Sequence, residues 1–407
     1  MRKLVRFLPL IVLFLTQAVS PIRADVPPGP FFNGFERNTN GWFDSTNGGD
    51  GTITRRPSGY SNGGGYANGI SSAAGNWHAR LTGGPPCVQS QSGLCFGPFT
   101  RWGGYTSTFP PGGYLTQLDI YLDVNWAASH NDYRFDWISA INQEAVNAQR
   151  RDWVFNAGTE VPGDLVPGFW VNASTNSERN SAFPENPCPN PPDQISNPPI
   201  GCRMPVKITT SGWYTFRHTF RSGSFTGCPD TACLVVDFDI LDHSGSPVPG
   251  GHWTIHSSQD PMSMVGGNRY GWFSTEEIPD LAIDNSLRTG LCHNGDGDGD
   301  VEGNDSRKAH MHFHKNTCDG SNDDVEEDDD SSGSHFQSTS TDSATFTPGE
   351  DHQTVTMIGT GLHNGLPVGF TMIAVDNQGL APAVFTLILT DGYSITGTVT
   401  SGTVVVQ

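Results

Sequence analysis

Basic residues are scarce in this chain: 22 lysines and arginines stand against 42 aspartates and glutamates over 407 residues, a formal net charge of -20. So acidic a surface repels a phosphate backbone, which argues against nucleic acid as a partner, and anionic membranes are disfavoured for the same reason. Leucine-rich helical periodicity is almost absent, so a helical protein is not expected. After the run Phe7–Val19 nothing is apolar for the ~20 residues of a membrane helix, and no membrane insertion is expected. Two large enzyme classes lose their signatures as well, because the chain has neither a G-x-S-x-G elbow nor a Walker phosphate loop.

What is present places the chain outside the cell. Arg2, Lys3 and Arg6 precede Phe7–Val19, and this basic-then-apolar order reads as a signal peptide over residues 1–24, cleaved after Ala24. Secretion or display at the cell surface follows. The cysteines then pair by sequence proximity as Cys87 with Cys95, Cys188 with Cys202, Cys228 with Cys233, and Cys292 with Cys318. Many connectivities are open to eight cysteines, and loop economy is what selects this one. Zinc thiolates at Cys292 and Cys318 are the alternative for the last pair.

Gly 49 and Pro 29 punctuate short alternating runs of Trp, Phe, Tyr, Val and Thr, which predicts an all-β protein of antiparallel strands. Strands are expected at Tyr114–Val124, Arg134–Ile141, Asp152–Gly158, Gly212–Arg221, Cys233–Asp242 and Leu281–Leu287, with one short helix over 142–149. The chain divides into a β-sandwich over 25–290, an acidic and His-rich linker over 291–335, and a small antiparallel β-domain over 336–407 with hairpin turns at Asp391-Gly392 and Ser401-Gly402.

NGFERNTNGW (Asn33–Trp42) and LAIDNSL (Leu281–Leu287) resemble the first and last strands of jelly-roll carbohydrate-binding modules and concanavalin-like lectin sandwiches. The resemblance implies paired terminal strands, glycan binding, and a structural calcium held by Glu36 and Asp284; solvated strand-end carboxylates are the alternative. The C-terminal unit resembles the small β-domains that follow lectin-like modules in exported bacterial proteins. Residues Asp237–Asp242 resemble the acid-bearing strand of laminarinase-like glycoside hydrolases, which would make Asp237 and Asp242 nucleophile and acid. That family carries Glu at both outer positions, so these two are weak candidates and no catalytic residue is assigned.

Two metal-friendly patterns lie between Cys292 and Cys318. In HNGDGDGDVEGND, Asn294, Asp296, Asp298, Asp300, Glu302 and Asp305 fall at positions one, three, five, seven, nine and twelve of an EF-hand-type loop, which points to calcium. His310, His312 and His314 alternate, so an extended backbone would present all three imidazoles on one face for zinc or another transition metal, with His293 as a fourth donor. A solvated polar linker is the competing account of both. Trp102, Tyr105, Trp253, Tyr270 and Trp272, several of them beside glycine in RWGGY and GGNRYGWF, are candidate faces for stacking sugar rings, with core packing the alternative for each. Together these features predict a secreted, non-enzymatic binding or adhesion protein whose partner is an extracellular glycan or cell-surface component. A purely structural matrix protein and a glycoside hydrolase are the alternatives, and oligomeric state is not legible.

Overall fold

The computed structural model describes residues 30–45, 51–82, 96–130, 133–159, 166–176, 204–274, 276–318 and 323–407. The expected signal peptide and Cys87, Cys95, Cys188 and Cys202 lie outside the described residues. Strands β1 (Phe31–Asn33), β2 (Trp42–Phe43), β3 (Thr52–Pro57), β4 (Trp77–Thr82), β5 (Phe96–Thr100), β6 (Tyr114–Leu122) and β7 (Arg134–Gln143) open the first unit. It continues through β8 (Val146–Thr159), β9 (Phe169–Thr175), β10 (Val206–Ile208), β11 (Gly212–Gly223), β12 (Cys233–Asp242), β13 (Pro247–Pro261), β14 (Val265–Ser274) and β15 (Leu281–Gly290). The second unit comprises β16 (Asn294–Gly303), β17 (Lys308–Asn316), β18 (Asp324–Asp329), β19 (Ser334–Pro348), β20 (Gln353–His363), β21 (Leu366–Asp376), β22 (Val384–Leu389) and β23 (Ser394–Val406).

All strand pairings among the described residues are antiparallel, as expected for an all-β chain. One sheet of the first unit has eight strands in the order β13-β12-β11-β6-β15-β4-β3, with β1 beside β15, and the other has seven in the order β10-β9-β8-β7-β14-β5-β2. Inward residues of both sheets form one core, in which Phe155 meets Phe216 and Phe238 edge-on at 5.2 and 5.1 Å. Each fully buried aromatic of this kind contributes roughly 1.5–3 kcal/mol. The two sheets thus form a sandwich. Its terminal strands pair, Phe31 opposite Arg288 and Asn33 opposite Ser286. The helix expected over 142–149 is instead the β7–β8 hairpin, with Ala145 in the turn at a φ of 58°.

The second unit is a closed barrel in which β16 to β23 pair in sequence order and β16 closes on β23. Residues 291–335, expected as a linker, are therefore mostly its first strands. Period-two alternation explains why: along β16 Gly295, Gly297, Gly299, Val301 and Gly303 face inward while Asp296, Asp298, Asp300 and Glu302 face out. The inward residues of the other strands, among them Met311, Phe313, Val325, Phe336, Met357 and Phe385, fill the interior. Mostly apolar side chains fill this interior, whereas the interior of a membrane barrel is polar; on the outside Ile358, Leu362 and Ile388 are exposed among polar residues. No helix among the described residues is long and apolar enough to cross a membrane. Asp391 and Gly392 do form a turn, but Ser401 and Gly402 lie within β23, where Thr400 is an extra residue between partners of Asp300 and Val301. Such a bulge lets a long strand bend around the barrel.

The units meet where the Cys292–Cys318 disulfide closes the open end of the β16–β17 hairpin; Cys228–Cys233 is the second expected bridge present. Gly112 packs against Cys292 Sγ, and the Leu291 amide donates to the Gly113 carbonyl at 2.9 Å. On another side the Glu36 amide donates to Glu350 Oε1 at 2.8 Å, and Arg37 pairs with Asp351.

Candidate functional site

The outer face of the seven-stranded sheet carries an aromatic and arginine surface. Register sets it: Phe43 on β2 lies opposite Phe99 on β5, and Phe99 opposite Trp272 on β14. Phe43 is 41% exposed and stacks on Phe99 at 5.1 Å. Two residues along β14, Tyr270 points the same way, as period two requires, and meets Trp272 edge-on at 6.2 Å. Arg101 lies over Phe43, Phe99 and Tyr105 at 5.2, 5.7 and 5.2 Å from their centroids, and Arg269 over Tyr105 and Tyr270 at 5.3 and 5.4 Å. Tyr105 is thus flanked by two guanidiniums, each held by cation–π attraction. The exposed Gln149 accepts a hydrogen bond from Tyr270 Oη at 3.1 Å. A neighbouring row on this face is polar, with Ser174 donating to Asn156, and Asn156 and Ser274 donating to Asp136.

Of the five aromatic candidates, the structure brings together Tyr105, Tyr270 and Trp272, all partly exposed. Trp102 and Trp253 are not binding faces. Trp102 is 0% exposed with its ring edge-on to Trp137, and Trp253 packs in the core while its indole donates to the Met204 carbonyl at 2.9 Å. The residues that sequence reasoning missed are Phe43, Phe99, Arg101 and Arg269. The last two stand directly beside aromatics in RWGGY and GGNRYGWF, and that adjacency was the available signal.

The barrel exterior holds the acidic and histidine residues in cross-strand rows. Asp296, His314 and Asp324 are in register, as are Asp298, His312, Glu326 and Gln337, and Asp300, His310, Asp328 and His335. The three imidazoles do share a face. His310 Nδ1 pairs with Asp300 at 3.1 Å, His314 with Asp296, His335 with Asp328 at 2.6 Å, and His312 lies 3.5 and 3.4 Å from Asp298 and Asp324. The hydrogen bond to Asp300 and the nearby Asp298 and Asp328 carboxylates raise the His310 pKa above the usual imidazole value. His293 lies apart, stacked on Phe346 at 4.9 Å.

The EF-hand-type arrangement does not form. On an extended strand successive outward residues are about 6.7 Å apart, whereas ligands at about 2.3–2.6 Å from one calcium lie within about 5 Å of each other. Asn294, Asp296, Asp298, Asp300 and Glu302 therefore cannot converge on one ion, and Asp305, in the turn after β16, pairs with Arg307 at 2.6 Å. Among the described residues no group of three or more His, Cys, Asp and Glu side chains is gathered for a metal. Donors close enough to share an ion are cross-strand neighbours such as Asp298 with His312.

Glu36 and Asp284 come to one loop, at neighbouring stretches of its backbone. Glu36 Oε1 accepts from the Asn76 and Trp77 amides, both at 2.9 Å, and Asp284 Oδ2 from Ala73 and Ala74 at 3.0 and 3.3 Å. Backbone N–H groups thus bind one oxygen of each carboxylate, and the pair anchors the loop. Asp284 is fully buried; loss of hydration pushes its pKa up to about 8, with the Asp119 carboxylate opposite it on β6 adding to the rise.

Asp237 and Asp242 do not form a hydrolase pair. They stand five positions apart along β12, about 16 Å at the rise of an extended strand, and the odd interval turns them to opposite faces. Retaining chemistry needs about 5–5.5 Å. Asp237 is bound by Arg221 at 2.7 Å and Thr254 at 2.6 Å; burial raises its pKa, but these hydrogen bonds outweigh burial and leave it low. Asp242 caps the turn to Ser246 by accepting from Ser244 and Ser246 amides.

The fold and this site define an antiparallel β-sandwich joined to an eight-stranded barrel, with an aromatic and arginine surface on one sheet. No family model matches the chain, and neither does any curated protein.

Proposed function

We propose that this protein is secreted and acts without catalysis, binding an extracellular glycan on the outer face of the seven-stranded sheet. The observation that carries this reading is the convergence of Phe43, Phe99, Tyr105, Tyr270 and Trp272 on one face with Gln149 at its margin, because sugar rings stack on aromatic faces and amides orient their hydroxyls. Two disulfides suit an oxidising compartment. The barrel is then a structural or anchoring module. Divalent cations have a place in the same reading: calcium or zinc would be taken between strands, by Asp298 with His312 or Asp300 with His310, and not along β16.

Binding of the full chain to a panel of immobilised polysaccharides tests it, with Tyr270→Ala and Trp272→Ala as comparators. Binding that falls about tenfold in each variant at unchanged melting temperature supports the proposal. No retention on any polysaccharide, or retention indifferent to both substitutions, overturns it in favour of a purely structural protein.

A further inference from the structure

The charge of the sheet-face surface runs against that of the chain. Acids outnumber bases 42 to 22; Arg55 bonds to a backbone carbonyl and Arg217 to the Gln117 amide oxygen, but several other arginines find carboxylates: Arg150 and Arg151 both pair with Asp260, Arg221 with Asp237, Arg307 with Asp305 and Asp329. Arg101 and Arg269 do not. No carboxylate of the described residues lies within ion-pair distance of either. Arg269 Nη1 donates instead to the neutral amide oxygens of Asn142 at 2.9 Å and Asn147 at 2.6 Å, while Arg101 is exposed. Asp152 on the same sheet is engaged by the Gln149 amide at 2.7 Å, and its charge acts on Tyr270.

Two uncompensated guanidiniums flanking one tyrosine ring, with Tyr270, Trp272, Phe43 and Phe99 around them, offer planar cationic forks next to apolar ring faces. A planar fork matches a planar carboxylate in bidentate geometry, and the flat rings match pyranose faces. We infer that the Arg101–Tyr105–Arg269 surface binds a uronate-bearing polysaccharide, its sugar rings on the aromatic faces and its carboxylates on the two guanidiniums. This rests on the glycan-binding reading and adds the charge of the ligand to it. In a chain of net charge -20 such a patch also selects: it attracts a polyanion that an acidic surface repels.

The test is calorimetric titration of oligogalacturonate, a neutral oligosaccharide of equal length and a sulfated oligosaccharide into the full chain, with a chelator present to prevent calcium bridging. Arg101→Gln, Arg269→Gln and Tyr270→Ala are run beside the unaltered chain, with thermal melts to show that each remains folded. Expected is uronate binding that weakens with salt and falls about tenfold in each arginine variant and in Tyr270→Ala. Neutral oligosaccharide binding that loses affinity only in Tyr270→Ala would overturn the uronate inference and keep the glycan reading. Binding of the sulfated ligand alone would overturn it too. Binding of none would remove both.

Discussion

Phe313 occupies the space that a side chain on Gly297 would need. The two face each other directly across β16 and β17, and a β-carbon on Gly297 would stand 2.0 Å from a carbon of the phenyl ring, whereas one on Gly295 would meet Val355 at 3.3 Å and Phe346 at 3.4 Å. Gly297→Ala should therefore cost about 1–3 kcal/mol by overpacking. Gly295→Ala, with looser contacts and a less flexible unfolded chain, should stay within about 1 kcal/mol of the unaltered protein. Thermal melts separate them; equal melting temperatures would mean that Phe313 does not dictate the glycine.

Glu327 points into the barrel, 1% exposed, and accepts from Tyr393 Oη at 2.6 Å. Burial, reinforced by the Asp329 and Asp328 charges, pushes its pKa up to about 7. The folded state thus keeps a proton that the unfolded chain releases near its ordinary value. Its contribution to stability is present at low pH and is lost as pH rises through about 4.5 to 7, an effect of up to roughly 3 kcal/mol. Glu327→Gln should flatten urea-unfolding stability across this window and leave the variant the more stable at pH 8. Parallel curves for the two proteins would contradict the assignment.

His218 behaves in the opposite sense. It faces the sandwich core, 0% exposed, between Phe155 and Phe238 at 4.7 and 4.8 Å, and burial lowers its pKa to about 3. The imidazole is neutral in the fold, while the unfolded chain protonates it below pH 6.5, so stability falls as pH drops from there toward 3. His218→Leu, of similar volume, should remove about one proton from the acid-unfolding slope between pH 6.5 and 4. Denaturation midpoints at a series of pH values measure it, and an unchanged slope would exclude His218 as the acid-labile group.

Strands with β-branched and aromatic alternation were legible one at a time. Cys233–Asp242 is a strand with the bounds its pattern predicts, and Tyr114–Val124 ends two residues later in the pattern than in the fold. What misled was residue type. Gly and Asp are poor strand formers, so NGDGDGDVEG reads as a loop, and the partner that makes it a strand, Phe313, lies across a turn. Residues 142–149 are good helix formers overridden by the β7–β8 pairing. Glycines beside tryptophans suggested open rings, yet Gly271 makes room for buried Trp102 and Trp137. Tyr270 and Trp272 were readable as candidates, but their assembly with Phe43 and Arg101 depends on the β2-β5-β14 register.

The closing of β16 on β23 sets an order of events during synthesis. β16 is the first barrel strand to leave the ribosome and must wait for about a hundred further residues before its second neighbour exists. Until then its edge is open to any extended chain that drifts past. The outward carboxylates of Asp296, Asp298, Asp300 and Glu302 guard that interval, because a second copy of the strand would bring four negative charges against four. The acidic row thus serves the nascent chain, as a deterrent to mispairing, before it serves the finished one.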